Sequence, residues 1–284
     1  MASAAIRRRP DTAVLAALVT GLAAIAVYRT TLLPGVGAWD TGEAQVVLPV
    51  MGTLHPTGSP AYVLLGWFAS VVLGPLGSPA FVVNLLSAIL AGVAVGMSIL
   101  VMRRLAVPLP IAVAVAVGFA LTPVVWSIGS AADAHALHLA LVVAVTLGLL
   151  RWGALVAERR NRPDDPVARA RADRAIVFTA IVFGVAVANH ALSLLLVPAV
   201  GLYVLAVEPG VVHRPRLVLA ALGSFAGTTA LLYVEMPLRG GPFRAPLVYG
   251  HPETWDGFWG IVLARQFLGD VVEPRPDLGG EIAR

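Results

Sequence analysis

Neither cysteine nor lysine occurs anywhere in the 284 residues. Without cysteine, disulfides and thiolate metal sites are excluded and the redox compartment leaves no mark. Without lysine, all 20 basic side chains are arginine. The formal net charge of +4 therefore matters through where the arginines sit, and no nucleic-acid partner is expected. Charge itself is scarce: charged residues are 13% of the chain, against roughly 25% in soluble domains. Also absent are a Gly-rich strand-turn-helix nucleotide motif and a Gly-x-Ser-x-Gly elbow. No internal repeat or low-complexity segment is seen.

What fills the space is apolar. Hydrophobic residues make up 58%, and the mean hydropathy is +0.85. Several runs approach the ~20 residues that cross a ~30 Å hydrocarbon core. They lack the period-2 alternation of a barrel strand, and lipid leaves only helices and closed barrels as spanning structures. The fold class is an all-α polytopic membrane protein, with the bilayer as its first partner.

The arginines order the spans. Arg7, Arg8 and Arg9 precede the run Ala13 to Leu33, which is too long for a cleaved signal and reads as a signal-anchor helix. The loop after it, Trp39 to Pro60, has no Arg. Ala61 to Gly77 is apolar but short and broken by Gly74, Pro75, Gly77 and Pro79, so an interfacial or re-entrant helix is expected. Further spans follow at Ala80–Met102, Pro108–Trp126, Ala134–Leu150, Ala175–Ala188, Leu192–Val207 and Leu217–Val234. This gives seven spans, a cytoplasmic N-terminus and Arg-rich loop 151–174, an external loop 34–79 and an external segment 236–284. Counting Ala61–Gly77 as a span would turn Arg103-Arg104 and the Glu158–Arg174 loop outward, against the positive-inside rule. Trp255 to Leu268 sets Trp255, Phe258, Trp259, Val262 and Phe267 among polar positions, as an interfacial amphipathic helix would.

Topology then gathers the polar residues at one end. Asp40, Glu43, His55, Asp133, His135, His138, Asn189, His190, Arg239 and His251 fall at or near the outer ends of spans, where ionisable groups are functional candidates. Each has a plainer reading. His138 reads as a hydrogen-bonded core residue, Asp133 equally as a helix cap, Asn189-His190 equally as a helix end and turn, and Arg239 as a headgroup contact. His135 and His138, in His-x-x-His spacing, share a helical face and admit a divalent cation, but no third ligand is fixed. A carboxylate beside Arg and His at a membrane surface suits transfer from a lipid-linked phosphate: the acid takes a hydroxyl proton and the cations hold the departing phosphate.

The strings Trp39-Asp40-Thr41-Gly42-Glu43 and His55-Pro56-Thr57-Gly58-Ser59-Pro60-Ala61-Tyr62 resemble the first external loop of a membrane family catalogued as domain of unknown function 2723. That family is also grouped as glycosyltransferase family 117, with relatives of vertebrate transmembrane protein O-mannosyltransferases. The resemblance runs on through Val83 to Ala88, Trp126-Ser127, Ala132 to Leu137, Gly184 to His190 and Met236 to Arg239. It implies a GT-C fold that uses a polyprenyl-phosphate sugar donor and a protein or glycan acceptor on the non-cytoplasmic face. It implies Asp40 as the catalytic acid or base and Glu43 as a second acid, with His55, Asp133, His135, Asn189, His190 and Arg239 touching substrate. The family's second Pro and Tyr in His-Pro-Pro-Gly-Tyr-Pro are Thr57 and Ser59 here, and its Glu-x-Tyr is Asp133-x-His135. Relatives carry a longer C-terminal part, so a fragment or a minimal form is expected. The location implied is the inner membrane of a bacterial cell. Two other classes compete: a transporter or flippase of a lipid-linked substrate, and an inactive assembly subunit. A transporter calls for polar groups at mid-depth in broken, repeated helices, which this sequence lacks.

Overall fold

The computed structural model describes residues 12–267. Arg7, Arg8, Arg9, Leu268 and Arg275 lie outside the described residues. The helices are α1 (Thr12–Thr30), α2 (Trp39–Val47), α3 (Pro60–Leu73), α4 (Pro79–Arg104), α5 (Leu109–Ala120) and α6 (Pro123–Ser130). There follow α7 (Ala134–Arg160), α8 (Pro166–Asn189), α9 (Val197–Val207), α10 (Pro215–Tyr233), α11 (Glu235–Gly240) and α12 (Trp255–Val262). No strand occurs among the described residues. This is a multi-pass helical membrane protein.

Five helices, α1, α4, α7, α8 and the continuous α10–α11, are long and apolar enough to cross a bilayer. The bent pair α5–α6 makes a sixth if its halves form one span, and the shorter apolar stretch Ala191–Val207 leads the chain from the end of α8 back to Glu208 beside Arg159. The sequence suggests seven spans, and the structure breaks two of them for local reasons. Pro108–Trp126 is not one helix, because Pro123 removes a backbone donor and the chain turns by 65° there. Leu192–Val207 is not one helix either. Residues Ala191–Leu196 form a 3-10 turn before α9, held back by Ser193, whose hydroxyl donates to the Ala186 carbonyl at 2.9 Å. α3, with 14 residues, reaches only ~21 Å at 1.5 Å per residue. It falls short of a span, as expected for Ala61–Gly77. Its inner face, including Tyr62 and Val63, is fully buried, while Phe68, Val71 and Val72 point away from the core.

The spanning helices pack as a row, α1 on α4, α4 on α7, α7 on α8, and α8 on α10. Small residues set the first contact. A Cβ on Gly92 would stand 2.8 Å from the Gly21 carbonyl oxygen, and one on Gly96 would stand 2.6 Å from that of Ala17. Gly92-x-x-x-Gly96 thus lets two backbones meet, as small-residue motifs do in membranes. Tyr28 ties α1 to α5 by donating to the Ala120 carbonyl at 2.9 Å. At the arginine-rich end, Arg159 pairs with Glu208, and Arg214 with Asp173 at 2.9 Å through Nη1.

At the other end a separate apolar cluster joins Leu48, Tyr62, Val83, Leu137, Ala188, Tyr233, Met236 and Ile261. It binds the loop after α1 and the segment after α10 onto the ends of α4, α7 and α8. α12 packs Ile261 inward and leaves Trp255 76% exposed, the two-faced character expected of it. The helix stops at Val262, and a 3-10 turn covers Arg265–Phe267. Arg29, in the last turn of α1, is exposed at this end. Arg29 lies inside the apolar run Ala13 to Leu33, so the Arg-free loop from Trp39 to Pro60 begins only after it.

Candidate active site

The loop after α1 is held in shape by its own polar residues. Gln45, buried in α2, accepts the Gly37 N–H at 2.8 Å and donates to the Asn84 Oδ1, also at 2.8 Å. Gly42 lies against this turn, where a Cβ would meet the Gly37 carbonyl oxygen at 2.4 Å. Trp39, Met51 and Ser59 all take left-handed backbone conformations, with φ of 54°, 49° and 42°. Non-glycine residues rarely adopt these, and they gather where the surrounding structure imposes them. Asp40 opens α2, and Glu43 follows one turn later on the same face.

Glu43 is committed to His55. One carboxylate oxygen accepts the His55 N–H at 2.9 Å, and the other pairs closely with Nδ1 of the ring. This hydrogen bond raises the His55 pKa above its ordinary value, against the lowering effect of burial, and the charges of Glu43 and Asp40 add to it. Asp40 is exposed, and its carboxylate has no hydrogen bond or ion pair among the described residues. One ligand atom from each of Asp40, Glu43 and His55 fits within a 4.8 Å span. The donor set, two carboxylates and an imidazole, could accept a divalent cation if the Glu43–His55 pair opened. In this structure that pairing satisfies both groups.

Opposite stands a group of imidazoles. The His135 and His190 ring centroids are 4.7 Å apart, those of His138 and His190 5.5 Å, and those of His135 and His138 6.4 Å. Asp133 caps α7 by accepting the His135 N–H at 2.7 Å, and the same oxygen takes Nδ1 of the ring at 2.8 Å. The Ser193 hydroxyl, already donating to Ala186, accepts from His138 Nδ1 at 3.2 Å. His190 Nδ1 accepts the Leu192 N–H at 3.2 Å, so in the neutral ring the proton sits on Nε2. Burial pushes the His190 pKa down to about 4, helped by the neighbouring His135 and His138. His55 also acts on His190, and the charge of Asp40 reaches His135. The two groups thus lie within electrostatic reach of each other at the same end of the molecule.

Asn189 is fully buried and donates to the Ala134 carbonyl at 3.1 Å, fixing the end of α8 to the start of α7. Arg239 is spent on the loop: Nε and Nη2 donate to the Met51 and Val50 carbonyls at 2.8 and 3.1 Å. His251 pairs with Glu253 at 3.2 Å and makes no described contact with the imidazole group. His138 is hydrogen-bonded, as its plainer reading held, yet it also belongs to the imidazole group. The residues that sequence reasoning left out of the site are the ones that connect it. Asn84 is fully buried in α4; its Oδ1 accepts from Gln45 and from the Ala132 N–H at 2.9 Å, and its Nδ2 donates to the Leu33 carbonyl at 3.0 Å. Ser87, one turn on, accepts the Asp133 N–H at 3.2 Å. An amide inside an otherwise apolar span was the signal that could have found it.

Residues 40–210, more than half of the chain, match the family model of the protein O-mannosyl-transferase TMEM260 N-terminal domain. The chain belongs to that family. The TMEM260 N-terminal domain match begins at Asp40 itself and takes in Glu43, His55, Asn84, Asp133, His135, Asn189 and His190. Arg239 and the segment after it lie beyond the match. No solved structure matches the chain.

Proposed function

We propose that this protein is a GT-C-type membrane glycosyltransferase that moves mannose or another hexose from a polyprenyl-phosphate donor to a hydroxyl group of a protein or glycan. In this reading residues 1–235 form the transferase domain and 236–284 an external segment. The N-terminus is cytoplasmic, the site faces outward, and the membrane is the bacterial inner membrane.

One observation carries the proposal. Of the three acids in the site, Glu43 and Asp133 are bound to histidines, and Asp40 has no such partner among the described residues. A base that must take a proton from an incoming hydroxyl needs that freedom. Asp40 accepts the acceptor's hydroxyl proton as the oxygen bonds to the anomeric carbon. The bond from that carbon to the phosphate oxygen breaks, and the lipid phosphate leaves with the electron pair. Configuration inverts. His190, neutral with Nε2–H available, donates to the departing phosphate, and the Glu43–His55 pair holds the loop that carries Asp40.

The test is transfer of labelled sugar from a polyprenyl-phosphate donor to a peptide acceptor by the purified protein. Asp40→Asn should fold and insert but lose at least ~100-fold in rate, the lower end of what a general base contributes. Full activity in that variant would remove Asp40 from the mechanism. No transfer by the wild type from any polyprenyl-phosphate sugar would sink the enzymatic reading.

A further inference from the structure

At the end of the bundle remote from Asp40, the helices α1, α4, α7 and α8 enclose a crevice of about 780 Å³. That size lies within the roughly 300–1,000 Å³ of small-molecule sites. Along α7, His135 and Arg151 are 16 residues apart, which at 1.5 Å per residue separates the two sites by ~24 Å.

Among the described residues, five arginines line the crevice, Arg103, Arg104, Arg151, Arg171 and Arg174, and no acidic residue does. Its other walls are apolar, with the half-buried Leu100, Leu147 and Leu155 and the exposed Phe178. Three of the arginines have partners: Arg103 donates to the Val107 carbonyl at 2.6 Å, Arg174 to that of Ala170 at 3.2 Å, and Arg171 stands 3.7 Å from Glu158. Arg104 and Arg151 have no side-chain hydrogen bond or ion pair among the described residues. Two unpaired guanidinium groups beside an apolar trough form a binding site in waiting: guanidinium grips phosphate bidentately, and the trough accepts hydrocarbon.

We propose that this crevice binds an anionic phospholipid of the adjacent leaflet, with its phosphate on Arg104 and Arg151 and an acyl chain along Leu147 and Phe178. The charge complementarity is one-sided, as in basic pockets between membrane helices that hold acidic headgroups. A zwitterionic lipid would bring a cationic group into a ring of arginines. A free phosphate would leave the trough uncovered. The site is independent of sugar transfer and would serve whatever reaction the other end performs.

The experiment uses the full chain, delipidated in detergent, with phosphatidylglycerol, phosphatidylcholine, polyprenyl phosphate and inorganic phosphate as separate probes. Retention is read by native mass spectrometry and by the shift in thermal midpoint. Phosphatidylglycerol should bind saturably, resist excess inorganic phosphate and exceed phosphatidylcholine. The double variant R104Q/R151Q should weaken its binding on the order of tenfold or more, as expected when two phosphate-binding arginines are removed. R104K/R151K should keep part of the affinity, and R162Q, outside the crevice, should keep all of it. Arg151 is exposed, so R151Q alone should fold with an unchanged lipid-free midpoint and still lose several-fold. Four outcomes would overturn the proposal: equal retention of phosphatidylcholine, undiminished binding by the R151Q and double variants, saturation by inorganic phosphate alone, or binding of polyprenyl phosphate without phosphatidylglycerol.

Discussion

The Glu43–His55 pair gives the site a measurable acid–base signature. Glu43 raises the folded pKa of His55 above its ordinary value, so the pair's contribution is complete below the unfolded value of ~6.5. It fades as pH rises through the higher folded value. Glu43→Gln should return the His55 ring to a lower pKa in a histidine NMR titration, and the melting temperature should lose this part of its pH dependence. An unchanged His55 titration would mean that the pair does not persist in solution. Arg239 invites a second substitution. An ammonium cannot span two carbonyls as a guanidinium does, so Arg239→Lys should speed hydrogen exchange in residues 50–60 and lower the turnover number. If exchange there were unaltered while donor dependence weakened, Arg239 would be a donor contact and not a brace. Site chemistry was legible in the sequence where it rests on unusual residues in an apolar context: Asp40, Glu43, His55, Asp133, His135 and His190 all meet at one end. Their division of labour was not. Nothing in the order of residues says that Glu43 is occupied by His55 and Asp40 is not, because that depends on a turn with left-handed residues at Trp39, Met51 and Ser59.

Elements were readable where composition alone decides them. α1, α4, α7, α8 and α10 follow from long apolar runs, and α3 from a run too short to cross. The breaks were harder, because Pro123 and Ser193 act through a missing backbone donor and a side-chain anchor, not through hydropathy. Asn84 shows the same limit, since one amide barely alters the apolar average of a 26-residue helix. The α1–α4 contact supplies an element-scale prediction. A side chain at Gly92 would meet the Gly21 carbonyl at 2.8 Å and the Ile25 side chain at 2.3 Å. Gly92→Leu should therefore cost about 1–3 kcal/mol or more, as overpacking does. Gly118→Leu, on α5 with nothing within 4 Å, should leave stability unchanged. Thermal midpoints of the two variants decide it, and equal midpoints would mean that α1 does not pack this closely.

On the scale of the whole molecule, the carboxylates and histidines of the site lie at one end of the helix row, and most arginines, with Glu158, Asp173 and Glu208 among them, at the other. If orientation follows the positive-inside rule, Thr57 faces outward and Asp165 the cytoplasm. The absence of native cysteine makes single-cysteine labelling clean. A cysteine at position 57 should react with an impermeant reagent added outside, and one at position 165 should not; the reverse result would invert the topology. The buried Asn84 adds a constraint of a different kind, on the order of events during synthesis. Its amide takes partners from Leu33, Gln45 and Ala132, so it stays incompletely paired in a growing chain until the third arrives, 48 residues after it. An unsatisfied buried amide is costly, and until Ala132 leaves the ribosome the loop with Asp40 has no fixed position against α7. A nascent chain that has already inserted α1 and α4 still has no site, which takes shape only as α7 enters the membrane.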